Sequence, residues 1–249
     1  MTEPQPPRAQ LDLRRPRDIG GLIGDGFNLY FRQFGTFLLI AAAVVVPVNL
    51  VVLGIGLGWL TADYDSTPPV GENLITIFTN LLVAVPLTSA MCIYALLDVA
   101  DGRRPRAREA IQRGLDVFTA ILPVLLMFMA AVILGLLALV IPGLFLAVVL
   151  SFWAQATVVD GRRGSDALRR SWELVQGTWW RVAGVTLAAN LLVGLLSSVV
   201  GAPFLALADS SGHAVFQLVG QTLGGILFAP AAALITTLLY FDQRLRRGL

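Results

Sequence analysis

Six apolar runs, each near or above the length needed to cross a lipid bilayer, alternate with short polar segments along the chain. A hydrocarbon core of roughly 30 Å needs about 20 helical residues, because each residue advances ~1.5 Å. The pattern therefore predicts an all-α polytopic membrane protein with six transmembrane helices. The predicted spans are residues 36–60, 73–97, 117–141, 144–159, 182–208 and 214–241.

Proline and glycine mark interruptions in this pattern. Pro142-Gly143 is the only break between the third and fourth spans, and a Pro-Gly pair is typical of a tight turn. These two spans are therefore predicted to form a hairpin with almost no outer loop. Pro86 predicts a kink in the second span. Residues 1–13 are predicted to be a disordered cytoplasmic tail, and residues 14–249 a single transmembrane domain.

The arginines divide the polar segments into two groups. All 18 basic residues are arginine, and with six spans they fall on one side of the membrane. The connections at residues 61–72, 142–143 and 209–213 contain no basic residue. Positive charge is retained on the cytoplasmic side of membrane proteins. The pattern thus predicts a multi-pass bacterial inner-membrane protein with both termini in the cytoplasm.

A degenerate repeat underlies the arginine-rich segments. The pairs Arg14-Arg15, Arg103-Arg104 and Arg162-Arg163 each precede apolar residues at relative positions i, i+4, i+6 and i+7, and then two spans. Positions i, i+4 and i+7 lie on one face of a helix. We therefore expect three parallel repeats, each an amphipathic cytoplasmic helix followed by a helical hairpin, about an axis along the membrane normal.

The third amphipathic helix has the clearest pattern. Leu168, Trp172 and Val175 form its apolar face, and Asp166 and Arg170 are spaced to form an i, i+4 ion pair on the polar side. Arginines near a bilayer surface attract anionic lipid head groups, at about 1 kcal/mol each. The alternative is that they act only as a topology signal beside an interfacial anchor.

Two sets of candidate contact residues follow from this interpretation. The residues expected to contact anionic lipid, or else a protein partner or a second copy of the chain, are Arg103, Arg104, Arg162, Arg163, Arg169 and Arg170. The expected interfacial anchors are Trp172, Trp179 and Trp180, since tryptophan favours the head-group zone.

Uncharged polar residues occur inside the spans. Asn49, Asn190, Gln217 and Gln221 are candidates for a polar path through the membrane. The alternative is that they form hydrogen bonds between packed helices. The spans carry no acidic or basic residue far from their ends, which argues against coupling to ions or protons.

Catalytic patterns are weak in this sequence. It has one histidine, His213, and one cysteine, Cys92, so it has no His or Cys cluster for a metal. A Ser-His-Asp set would have to use that lone histidine, which is predicted to lie in an outer loop. Only 14% of the residues are charged, against about 25% in soluble proteins. We therefore expect a protein that is not an enzyme, without a cofactor, a metal or a nucleic-acid partner.

Two segments resemble a known bacterial family. They are RRPRDIGGLIGDGFNLYFRQFG at residues 14–35 and DGRRGSDALRRSWELVQGTWWR at residues 160–181. Both are similar to motifs of the membrane domain associated with glycerophosphoryl diester phosphodiesterases, which also occurs alone in actinobacteria. In that family a separate soluble barrel carries the hydrolytic residues. The resemblance therefore implies a membrane module without the catalytic barrel, and it assigns no catalytic residue here.

Two functions from different classes remain. The first is a non-enzymatic scaffold or accessory module for envelope or lipid-related processes, with a basic cytoplasmic face. The second is a facilitator or permease for a lipid-like or small neutral substrate. A continuous polar cavity at the candidate path would favour transport, whereas a dry interface there would favour the scaffold.

Overall fold

The computed structural model describes residue 13, residues 16–55 and residues 77–248, and its regular structure in these ranges is helical. Most of the predicted disordered tail, the outer loop at residues 61–72 and the adjoining ends of the first two spans lie outside the described residues. The helices are α1 Ile19–Arg32, α2 Phe34–Ile55, α3 Ile77–Ala100, α4 Ala107–Ala138, α5 Val140–Val149, α6 Trp153–Val158, α7 Ser165–Val175, α8 Trp179–Ser211 and α9 Ala214–Arg246.

Five helical units are long and apolar enough to cross a membrane. They are α3, α4, the α5–α6 unit, α8 and α9. A sixth crossing is present if the bent pair Ile19–Arg32 and Phe34–Leu50, whose axes meet at 88°, counts as one span. The chain is therefore a helical membrane protein with five or six segments capable of crossing the bilayer.

The turn between the third and fourth spans differs from the prediction. The break lies at Leu139, which is extended at φ −165° and ψ 150°, and not at Pro142-Gly143. Pro142 instead lies in the first turn of α5, where a backbone N–H has no helical partner and its absence costs little. Gly143 packs on α4, and a Cβ there would lie 2.6 Å from the Leu136 nitrogen.

The first amphipathic helix packs along α9. Its buried residues include Leu22, Gly26 and Tyr30. A Cβ on Gly26 would lie 2.5 Å from Cγ1 of Ile235, and the Tyr30 hydroxyl donates to the Leu227 carbonyl at 2.5 Å. The glycine that weakens α1 as an isolated helix is thus the residue that allows its close approach to α9.

The second amphipathic segment is continuous with its span. The polar residues 107–116 and the apolar residues that follow form the single helix α4. In the other two segments, α1 and α7 are separate from the helices that follow them. The three segments therefore differ in how they join the membrane helices.

Two spanning units depart from regular α-helix. α3 contains a π-helical turn at Asn80–Ala84, directly before Pro86. The unit formed by α5 and α6 is broken at residues 150–152. The Ser171 hydroxyl of α7 closes this break, because it donates to the Val149 carbonyl at 2.8 Å and accepts from the Phe152 nitrogen at 3.0 Å.

Candidate functional site

The arginine-rich segments gather at one end of the helix bundle. The Arg17 backbone nitrogen, just before α1, donates to Oδ1 of Asp242 at 2.9 Å, although 225 residues separate them in sequence. Arg181, at the start of α8, binds Oδ2 of the same carboxylate at 2.9 Å. Arg244 of α9 binds Asp160, which precedes α7, at 3.0 Å. We call the end defined by Arg17, Asp160 and Asp242 the basic end.

Three aspartates organise the amphipathic segments at the ends of membrane helices; Asp98 and Asp242 are buried, and the Asp160 side chain is 11% exposed. Asp98 lies near the end of α3, Asp160 follows α6 and Asp242 lies near the end of α9. Asp98 is 3% exposed and accepts from Arg103 at 3.0 Å and from both terminal nitrogens of Arg113. Each carboxylate thus ties arginines from neighbouring segments to a membrane helix.

The carboxylate of Asp160 has a full set of donors. The Tyr240 hydroxyl and the Arg170 guanidinium each donate to Oδ2 at 2.7 Å, and Arg244 pairs with Oδ1. Burial acts to lower the pKa of Arg170, but its hydrogen bond to Asp160 and the charge of that carboxylate outweigh this effect. The pKa of Arg170 is therefore raised above its usual value, and the guanidinium stays charged.

The position of Arg170 corrects one sequence expectation. Its side chain is 15% exposed and binds Asp160 and Glu173, and the predicted pair with Asp166 does not form in the described part of the chain. Arg170 thus faces the protein. The other five arginines expected to contact lipid are exposed, namely Arg103, Arg104, Arg162, Arg163 and Arg169.

The three predicted anchoring tryptophans lie together around Phe145 of α5. Trp172 and Trp179 both contact the Phe145 ring, with ring centroids 5.8 and 6.0 Å away. Trp179 Nε1 also donates to the Phe145 carbonyl at 3.3 Å. Trp180 stands edge-on to Trp179 and is 83% exposed. The cluster leaves one large aromatic ring projecting from the surface.

A polar cavity of about 460 Å³ lies between α2, α3, the α5–α6 unit, α8 and α9. We call it the main cavity. None of the described residues that line it carries a charge. Its polar lining consists of Asn49, Asn80, Thr88, Ser89, Ser151, Gln155, Thr186, Asn190, Gln221 and Thr236.

A second cavity of about 580 Å³, the side cavity, lies between α8 and α9. Gln221 and Gly225 line both cavities, so the two lie next to each other at these residues. Along α9 the combined lining extends from Gln217 to Thr236. At ~1.5 Å per residue this is about 28 Å, close to the roughly 30 Å thickness of the hydrocarbon core.

Three polar atoms in the main cavity have no hydrogen-bond partner within the described part of the chain. They are Oγ of Ser151, Oε1 of Gln155 and Oγ1 of Thr186. Gln155 is only 3% exposed. Buried polar atoms are normally paired, and leaving one unpaired costs about 1–3 kcal/mol. The main cavity is therefore lined by residues with unused hydrogen-bonding capacity.

The irregular backbone segments lie at this cavity. Asn80 and Ala84 of the π-helical turn line it from α3, and Ser151 lines it from the break between α5 and α6. Membrane helices depart from regular geometry where the backbone is buried in protein or lines a cavity. Single π-helical turns are also frequent at functional sites.

The structure places the four predicted path residues in the lining of the two neighbouring cavities. Asn49, Asn190 and Gln221 line the main cavity, and Gln217 and Gln221 line the side cavity. Asn49 also donates to Thr222 Oγ1 at 2.7 Å, which is an interhelical bond of the alternative kind. The Asn190 amide donates to the Thr186 carbonyl of its own helix at 2.7 Å.

Sequence reasoning missed the three aspartates and the place of Ser151 and Thr186 in the lining of the main cavity. One signal for the aspartates was available, because Asp98, Asp160 and Asp242 each follow the second helix of a predicted hairpin. No comparable signal distinguishes Ser151 or Thr186, since hydroxyl residues in membrane helices commonly bond to their own backbone.

In the described part of the chain no three His, Cys, Asp or Glu side chains are grouped to hold a metal ion.

Comparison with known proteins gives a family but no characterised relative. No curated protein and no solved structure matches the chain. The sequence model of a domain of unknown function, DUF7847, matches residues 70–241, more than half of the 249 residues. The chain therefore belongs to the DUF7847 family.

Proposed function

We propose that this protein is a facilitator that lets a small uncharged solute cross the bilayer through the main and side cavities. One observation carries the proposal: the lining of the two cavities follows α9 for about 28 Å, and its described residues include polar side chains but no charged one. Packed membrane helices need no such volume, and its polar lining is costly unless water or a solute occupies it. The expected alternative of a dry interface would leave no path of this kind.

The absence of charged residues from the described lining of the main cavity favours a neutral solute over an ion. Ionisable residues within membrane segments mark ion and proton pathways, and the described lining of the main cavity has none. Its broken helix is a feature of substrate sites in secondary transporters. A neutral solute that forms hydrogen bonds fits this lining better than an ion does.

The basic end closes the path in this conformation. Tyr240 lies one helical turn beyond Thr236, is fully buried and stands edge-on to Phe152. Its hydroxyl is held by Asp160. Passage therefore requires Tyr240 to move away from Asp160 or the adjoining helices to separate.

The basic end itself is proposed to face the cytoplasm of a bacterial inner membrane and to contact anionic lipid. The exposed arginines of this end and the projecting Trp180 ring support that assignment. These contacts orient the protein, and they are also the feature that would serve the scaffold function expected from the sequence. The cavity gives the facilitator stronger support, because a scaffold does not require it.

The repeat and the family resemblance are also proposals. Three parallel repeats would place one aspartate at the end of each hairpin, as Asp98, Asp160 and Asp242 are placed. The continuous α4 is the feature least like the other two copies. The proposed relation to the membrane domain of glycerophosphoryl diester phosphodiesterases is supported by the motifs at residues 14–35 and 160–181.

The facilitator is tested by solute flux into proteoliposomes. Stopped-flow light scattering would follow vesicle reswelling under gradients of neutral solutes, with sodium and chloride fluxes measured in parallel. Ala229→Phe should fill the main cavity and abolish the protein-dependent flux. Leu191→Phe is the control, because Leu191 lies on the outer face of α8 and is 64% exposed. The proposal would be overturned if vesicles with the protein reswell no faster than empty vesicles. It would also be overturned if Ala229→Phe and Leu191→Phe lose the same amount of solute flux.

A further inference from the structure

The unpaired atoms of the main cavity define the kind of hydrogen bond its ligand must make. The Gln155 Oε1 atom is an acceptor only, so it requires a donor from the ligand. The hydroxyls of Ser151 and Thr186 can each donate and accept. A hydroxyl group meets all three requirements, since one oxygen both donates and accepts.

The placement of these atoms favours a ligand with several such groups. Ser151 and Gln155 are four residues apart in the broken α5–α6 unit, whereas Thr186 lies on α8. A ligand that pairs with both sides must therefore carry hydrogen-bonding groups at separated positions. The cavity volume of about 460 Å³ is within the usual range of small-molecule sites, about 300–1,000 Å³.

The remaining walls are apolar and suit a carbon chain between the hydroxyls. Val45, Trp153 and Val193 line the main cavity together with small alanines. The Trp153 ring is held in place because it stacks on Phe128, with ring centroids 6.2 Å apart. The C–H groups of a polyol can contact such walls while its O–H groups reach the polar atoms.

We infer that the main cavity is a binding site for an uncharged polyhydroxylated solute, held by Ser151, Gln155 and Thr186. This rests on the proposed function and adds to it the substrate class. A cavity that holds only water would present the same polar atoms, and it is therefore the alternative that the experiment must separate from a polyol site.

Selectivity is measured by flux of matched solutes into proteoliposomes. Glycerol, erythritol and xylitol are the polyols, and urea and N-methylacetamide are neutral solutes without hydroxyl groups. The expected result is protein-dependent polyol flux at least tenfold above that of the other two. Gln155→Leu should lower the polyol flux about tenfold, and Thr186→Val should lower it severalfold. Equal flux of all solutes, unaffected by Gln155→Leu, would overturn the inference and leave the facilitator standing.

A matched control comes from α9. The Thr237 hydroxyl lies outside the lining of both cavities and donates to the Ala233 carbonyl at 2.7 Å. Thr237→Val should therefore leave the polyol preference unchanged. Gln155→Leu removes a buried amide oxygen that has no partner in the described part of the chain, so the melting temperature of this variant should be unchanged or higher. That measurement separates loss of flux from loss of fold.

Binding is measured apart from transport by saturation-transfer NMR of xylitol with the detergent-solubilised protein. Wild type should transfer saturation to xylitol, and Gln155→Leu should transfer severalfold less. Binding without any flux would overturn the facilitator but keep the polyol site. Equal saturation transfer to xylitol in wild type and Gln155→Leu, or no transfer in wild type, would overturn the polyol site whatever solute flux is measured.

Discussion

At the residue scale, burial decides how much each carboxylate contributes to stability. Asp242 is fully buried and accepts from the Arg17 nitrogen, Arg181 and Arg246, each at 2.9 Å. Asp101 pairs with Arg103 at 2.8 Å, but both side chains are more than 60% exposed. Two ion pairs of similar geometry should therefore differ widely in energy.

We expect Asp242→Asn to destabilise the protein by about 1–3 kcal/mol, because it removes the charge of a buried carboxylate that binds the partly exposed Arg181 and Arg246. Asp101→Asn should cost no more than about 0.5 kcal/mol, since exposed pairs are screened by solvent. Melting temperatures in detergent micelles compare the two. A similar loss in both variants would show that the Asp242 network does not hold the basic end together.

At the element scale, two glycines of α1 should respond in opposite directions. Gly24→Ala meets no atom within 4 Å and should raise helix stability by up to about 1 kcal/mol. Gly26→Ala places a methyl group against Ile235 and should cost about 1–3 kcal/mol of docking energy. Trypsin cleavage after Arg32 reports release of α1 from α9. Equal cleavage of both variants would contradict the observed packing.

We expect the arginines of the α7 segment to have two different roles: three exposed arginines contact lipid, and Arg170 stabilises the fold. Replacing Arg162, Arg163 and Arg169 by Gln should remove co-purifying anionic lipid with little change in melting temperature, since all three are exposed. Arg170→Gln should lower the melting temperature and leave the lipid content unchanged, because Arg170 binds Asp160. Native mass spectrometry measures the lipid. Unchanged lipid in the triple variant would remove the proposed contact.

The elements show which features could be read from the sequence. Long apolar runs and one-sided arginines predict helices and their common end, because both depend on local composition. The break at Leu139 was missed because proline early in a helix and proline in a turn give the same local pattern. The cavity was predicted only as a set of residues, since its volume depends on how five separate elements pack.

At the scale of the whole molecule, one contact bears on the number of crossings. The Arg17 nitrogen binds Asp242, so the chain before α1 and the end of α9 lie at the same end of the bundle. An even number of crossings lies between two points on one side of a membrane. The structure therefore favours counting α1 and α2 as one bent span over leaving five crossings.

Cysteine labelling tests this arrangement in a Cys92→Ala background, since Cys92 is fully buried and the only native thiol. Pro16→Cys and Arg247→Cys, both at exposed positions, should react with an impermeant maleimide only in inverted vesicles. Asp209→Cys, at an exposed position in the last turn of α8, should react only in intact spheroplasts. Labelling of Pro16→Cys from outside while Arg247→Cys labels from inside would establish an odd number of crossings. That result would also mean that the Arg17–Asp242 contact cannot form in the membrane. The proposed closure of the path at the basic end would then lose its support.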